Sequence, residues 1–159
     1  MPKASIEDIR TLRQETGAGV MDVKRALEDA EGGMESARQL LRERGLELSA
    51  SKASRDTKEG IVEAYVHPGR PLGAMVELNC ETDFVARTDE FKDLARNLAM
   101  HVAAMAPERI AEDEEGEGPA LHSQPWFRDT SLTVNQVIGQ TVARLGENIR
   151  VGRFSRFEI

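Results

Sequence analysis

The chain has 159 residues, enough for one moderate domain or a small module joined to a larger one. Its 40% apolar content with only 4% aromatic residues predicts an aliphatic core. No apolar run approaches the roughly 20 residues that span a bilayer. The opening Met1-Pro2-Lys3-Ala4-Ser5 leads directly into a polar helical pattern, so neither a membrane segment nor a secretory leader is expected. Cys80 is the only cysteine, which excludes an intrachain disulfide, fits a reducing compartment and predicts a cytoplasmic location. The net charge of −7 is unevenly placed: residues 1–58 hold 11 basic and 11 acidic side chains, residues 59–159 hold 10 and 17. An acidic main domain is poorly suited to a phosphate backbone, whose affinity comes from clustered Lys and Arg, so direct nucleic-acid binding is not expected.

Three short helical patterns fill the first 46 residues. Ser5-Ile6-Glu7-Asp8 carries a capping-box signal, and Ile6, Ile9 and Leu12 follow at helical spacing up to Gly17. Val20, Val23, Ala26, Leu27 and Ala30 trace a second stripe closed by Gly32-Gly33. Ala37, Leu40 and Leu41 form a third, with Gly45 as its expected stop. None of these stripes is buried alone, so the three should pack as a bundle. Residues 47–59, rich in small and polar side chains, read as a linker with some helical character, and residues 60–159 as the main domain.

After Gly60, Ile61–Val66 and Leu72–Leu78 read as two strands joined through the turn residues His67-Pro68-Gly69-Arg70-Pro71, a hairpin. Val76-Glu77-Leu78-Asn79-Cys80 then breaks abruptly into Glu81-Thr82-Asp83-Phe84-Val85. From about Thr88 to Met105, seven apolar positions, Phe91, Leu94, Ala95, Leu98, Ala99, Val102 and Met105, give the longest amphipathic helix, ended by Pro107. Glu112–Gly118 repels itself and should be a solvated loop. Gln124-Pro125-Trp126-Phe127 restores apolar content, a helix with Val134, Val137, Ile138 and Leu145 ends near Gly146, and Asn148–Ile159 alternates as a strand. Its apolar phase slips between Val151 and Phe154, which predicts either a bulge at Gly152 or burial on both faces. Strands interrupted by helices, with a hairpin, argue an α+β fold whose sheet is mainly antiparallel.

The chemistry of an enzyme is thin. Cys80 with His67, His101 and His122 matches neither a nucleophile signature nor the paired spacing of zinc ligands, and a lone cysteine ending an apolar strand is usually a small buried hydrophobe. Gly17-Ala18-Gly19 follows a helix and lacks a Gly-Lys-Ser/Thr, so it reads as a helix–helix turn. No catalytic residue, cofactor or metal is therefore expected. Taken alone, Phe84 between strand and helix is more often a core plug than a partner-facing wedge, and Asp83 more often a helix cap than a functional carboxylate.

Two separated motifs change that weighting. Leu12-Arg13-Gln14-Glu15-Thr16-Gly17-Ala18-Gly19-Val20-Met21-Asp22-Val23-Lys24-Arg25-Ala26-Leu27 resembles the N-terminal signature of bacterial elongation factor Ts, and Ala74 to Arg87 resembles that family's second signature. Weaker similarity covers Gly60–Val66, Phe91–Pro107, Gln124–Phe127 and Gly146–Val151, in the same order. The resemblance implies a three-helix domain of the ubiquitin-associated type over 1–46 and a sheet-and-helix core of the dimerisation type over 60–159. It implies a guanine nucleotide exchange factor, not an enzyme, that acts on GDP-bound elongation factor Tu in translation elongation. Arg13, Val20 and Met21 match the partner-docking positions; Val20 stands where methionine is frequent, which predicts a smaller or shifted contact. Thr82, Asp83, Phe84 and Val85 match the segment inserted near the partner's magnesium. The chain resembles short members, which tend to form homodimers, and its stretch from Ile110 to Ala120 is cut down relative to them. A protein-binding adaptor built on the three-helix module and a thiol enzyme built on Cys80 are the rival readings; both leave the two long motifs unexplained.

Overall fold

The computed structural model describes residues 4–159; Met1–Lys3, on which part of the leader expectation rests, lie outside the described residues. Helix α1 spans Ile6–Thr16 and is capped by Ser5, whose Oγ accepts the Asp8 N–H at 3.0 Å. The expected reciprocal half of the box differs: the Asp8 carboxylate takes the Ser5 hydroxyl at 2.6 Å, not the backbone N–H. Gly17 closes α1 in the left-handed region, at φ 67°, as its missing Cβ allows. Helices α2 (Val20–Asp29) and α3 (Met34–Lys52) complete the triplet. Leu12, Val23, Ala26, Leu27, Ala37 and Leu41 form its small core.

Gly45 does not stop α3. The helix runs through it to Lys52, so the first half of the expected linker is helical. Gly45 faces Gly139 of α6 (Val134–Leu145), and a Cβ at Gly45 would lie 3.3 Å from the Gly139 carbonyl oxygen. Two glycines therefore let the helix backbones meet where any side chain would hold them apart. That close approach explains a residue that elsewhere costs about 1 kcal/mol in a helix interior.

Strands β1 (Glu59–Val66), β2 (Leu72–Cys80) and β5 (Ile149–Glu158) form one antiparallel sheet in the order β1-β2-β5. Along β2, Ala74, Val76, Leu78 and Cys80 point inward at alternate positions. They meet Phe91, Leu94, Leu98 and Val102 of α5 (Asp89–Met105), Ile138 and Val142 of α6, and Ile149 and Val151 of β5. The phase slip is a bulge: Glu77 pairs with Arg153 and Leu78 with Val151, which leaves Gly152 unpaired between them. The fold is thus α+β with a mainly antiparallel sheet.

Two features depart from expectation. A second hairpin, β3 (Pro125–Trp126) with β4 (Asp129–Thr133), follows a short 3₁₀ turn at Leu121–Ser123. It carries Trp126 under α5, stacked on the buried His101 at 5.2 Å between ring centroids. His101 Nε2–H donates to Gln124 Oε1 at 2.9 Å and Nδ1 accepts the Phe127 N–H at 3.3 Å, which assigns the neutral tautomer. The acidic loop, expected to repel itself, is gathered around Arg109. Its guanidinium donates to the carbonyls of Gly118, Glu112 and Glu114 and pairs with the Glu112 carboxylate at 2.7 Å.

Candidate functional site

The acidic break after β2 folds into a single helical turn, α4 (Asp83–Ala86). Thr82, not Asp83, is its cap: the threonine has extended backbone, and its Oγ1 accepts the Val85 N–H at 3.4 Å. Four residues are too few for a self-supporting helix, so α4 is held by its flanks. Ala86 is buried and Val85 packs against the main core. With those two positions turned inward, the remaining ones face outward. Phe84 is 78% exposed, which rules out the core-plug reading. Asp83 lies beside it and pairs with Arg87 one turn on, at 2.9 Å. That pair is half to three-quarters exposed and is worth little, about 0–1 kcal/mol, so the carboxylate is readily released to another donor.

Every polar atom of Thr82 is directed back into the protein. Its N–H donates to Glu147 Oε1 at 3.2 Å and its hydroxyl to Glu147 Oε2 at 2.9 Å. Its carbonyl accepts the Ala86 N–H at 3.3 Å and the Cys80 thiol at 3.1 Å. Glu81 makes the complementary bond: its carboxylate accepts the Asn148 N–H at 2.8 Å, which, with Arg55 nearby, holds its pKa below the usual carboxylate value. Glu147 and Asn148 lie in the turn between α6 and β5 and were not singled out by sequence reasoning. A Glu-Asn pair after a helix-ending glycine is the only local signal, and its partners are 65 or more residues away.

Arg13, Val20 and Met21 are all exposed, Arg13 in the last turn of α1 and the other two opening α2. Val20 is 45% and Met21 57% exposed, an apolar pair that the small core does not use. They are separate from the Thr82–Val85 segment: one surface belongs to the helical module, the other to the sheet-and-helix core.

The remaining candidates are dispersed. Cys80 is fully buried, and burial, then the charge of Glu147, push its thiol up to about 11. A thiol so placed holds almost no thiolate near neutrality and points to no nucleophile. His67 bonds Tyr65, and His101 sits in the aromatic cluster. Among the described residues no three metal-ligating side chains come together.

The family model described as "Elongation factor TS" matches residues 20–117 and 81–159. Elongation factor Ts of Thermotoga neapolitana is 43% identical over 99% of this chain and 98% of its own length. Those of Rubrobacter xylanophilus and Carboxydothermus hydrogenoformans are each 41% identical, over 97% and 95% of this chain and 98% and 87% of theirs. The first alignment extends over 192 positions against the 159 residues here, so the relative carries residues inside the matched span that this chain lacks. With both signature segments placed on exposed surfaces and relatives matched over nearly the whole sequence, the chain belongs to the elongation factor Ts family.

Proposed function

We propose that the protein is a guanine nucleotide exchange factor that binds GDP-bound elongation factor Tu and releases its nucleotide by disturbing the magnesium and phosphate site. The observation that carries this reading is Phe84: a large apolar side chain, 78% exposed, on a one-turn helix held from within by Thr82, Val85 and Ala86. Exposing an aromatic costs burial energy that a core position would have gained, about 1.5–3 kcal/mol, and a partner that covers it recovers that gain. Magnesium requires a near-ideal octahedral shell of oxygens. An aromatic wedge driven against the loops that carry the shell distorts it, while Asp83, freed from Arg87, takes hydrogen bonds from those loops. Thr82 and Val85 supply the rigid base.

Arg13, Val20 and Met21 would anchor the helical module on the partner's nucleotide-binding domain. Exchange and GDP binding are then coupled negatively: the factor weakens GDP affinity and GDP weakens the factor's affinity by the same ratio. The reaction needs no acid, base, nucleophile, cofactor or nucleic acid from this chain, and places the protein in the cytoplasm with its partner. The test is release of a fluorescent GDP from purified elongation factor Tu. Phe84→Ala should slow release sharply at every factor concentration, and Asp83→Ala should slow it less. Release at the unmodified rate by Phe84→Ala removes the wedge.

In the same reading two chains form a homodimer. The outer face of the sheet leaves Val62, Val66, Met75 and Phe157 exposed, with Gly73 flanked by Val66 and Phe157 across its two ladders. Light scattering reads the outcome: Met75→Glu with Phe157→Glu should give a monomer, and an unchanged mass removes the face as the interface.

A further inference from the structure

We infer that Glu147 is a positioning residue for exchange: through Thr82 it fixes the direction in which Phe84 projects. The inference rests on the wedge reading of Phe84. A one-turn helix cannot set its own orientation, and the bonds that hold this one converge on a single place. Glu147 accepts both the N–H and the hydroxyl of Thr82, at 3.2 and 2.9 Å. Glu81, just before Thr82, returns a bond to Asn148. Two adjacent residues on each side thus exchange carboxylate bonds crosswise, a geometry that resists rotation in a way one contact would not. Side-chain carboxylates hold both ends, so the bonds are charge-assisted and shorter-ranged in their tolerance than neutral ones.

The same turn also reaches the helical module. Arg144 Nη1–H donates to the Thr16 carbonyl at 2.7 Å and the guanidinium pairs with Glu90 at the start of α5. Lys52, ending α3, donates to the Gly146 carbonyl at 3.0 Å, and Asn148 Nδ2 donates to the Arg55 carbonyl at 2.9 Å. The stretch from Arg144 to Asn148 is therefore joined to the helical module and to the Thr82–Val85 segment without belonging to either. Glu147 is its link to the wedge.

The experiment is stopped-flow release of fluorescent GDP from elongation factor Tu over a range of factor concentrations. A positioning role lowers the maximal release rate and spares the half-saturating concentration, which the helical module governs. Glu147→Leu should lower the maximum by about tenfold, with a half-saturating concentration within about twofold of the unmodified protein. Glu147→Gln keeps a carbonyl oxygen for the Thr82 hydroxyl and should recover most of the maximum. In a Phe84→Ala background Glu147→Leu should add at most about a twofold loss, because it acts through the missing ring.

An unchanged maximum in Glu147→Leu overturns the inference, as does full additivity with Phe84→Ala or a loss confined to the half-saturating concentration. Thr82→Val cuts the same hydroxyl–carboxylate bond from the other side. It keeps the question decidable if Glu147→Leu fails to fold, and an unmodified maximum there overturns the inference too. Phe84→Ala alone separates the two ideas. If it is without effect, the wedge reading falls; if it slows release while Glu147→Leu does not, only the positioning role falls.

Discussion

The helical module and the sheet-and-helix core solve the same problem with unequal means. The module buries six small or medium aliphatic side chains and no aromatic ring. The core buries nineteen residues, among them Phe91 and Trp126. A segment of this size with so thin a core lies below what usually folds alone. Its helices are accordingly tied to one another by ion pairs at their surface. Arg38 clamps the Glu15 carboxylate at 2.7 and 3.1 Å and holds its pKa down, Arg44 pairs with Asp29, and α3 continues onto α6. The two regions also present themselves differently. The module offers a flat apolar pair opening a helix; the core offers a single ring on a short, firmly tied turn. A thin bundle can afford a docking face but not a protrusion, because a protrusion needs a rigid base.

The largest test of that inequality is Phe91→Ala, which should cost about 3–5 kcal/mol in chemical denaturation and unfold both regions together. Leu27→Ala should cost about 2–4 kcal/mol, and its signature is regional. Hydrogen exchange should accelerate across α1–α3 while β2 and α5 keep their protection. Equal acceleration in both would show one cooperative unit and dissolve the comparison.

Acid should act on the core. His101 and His122 hold their pKa values below the ordinary 6.5, chiefly through burial. Below that value the unfolded chain binds protons that the folded chain refuses, so stability present above it is lost as pH falls. Thermal melts at about pH 7.5 and 5.5 should show the decline, and His101→Gln should flatten it. The caps come next: Thr133→Ala breaks a complete capping box and Ser5→Ala an incomplete one, each at about 1 kcal/mol, the former larger. Smallest of all, Phe84→Ala should change stability by less than about 0.5 kcal/mol, although the same substitution a few residues on is the most damaging in the series.

Much of this was legible because the signals are short-ranged. The stripes of α5 and α6, the hairpin through Gly69 and the slipped phase at Gly152 each sit within one helix, one strand or one pair of consecutive strands. What escaped depends on distant partners. Gly45 carries every local sign of a helix stop, and only Gly139 reveals why it is a crossing point. The charge run at Glu112–Gly118 looks self-repelling until Arg109 is seen inside it. Strand β3 has two residues, too few to show a period. At the site, local chemistry favoured a buried Phe84 and a capping Asp83. Val85 and Ala86 take the inward positions and Thr82 takes the cap, which only the register of a four-residue helix decides. The Glu147 anchor, 65 residues from Thr82, left only a Glu-Asn pair after a glycine as its local trace.

The meeting of Gly45 and Gly139 has a mechanical consequence. From that point back to Met34, α3 is a lever about 16 Å long, and the module rides on its far arm. A rotation of about 5° at the fulcrum sweeps that end through about 1.4 Å. A Cβ at Gly139 would stand 3.2 Å from the Gly45 backbone, close enough that the helices must yield by a few tenths of an ångström. A methyl group at the fulcrum would thus be magnified into a change of reach at Val20 and Met21, with neither surface residue altered.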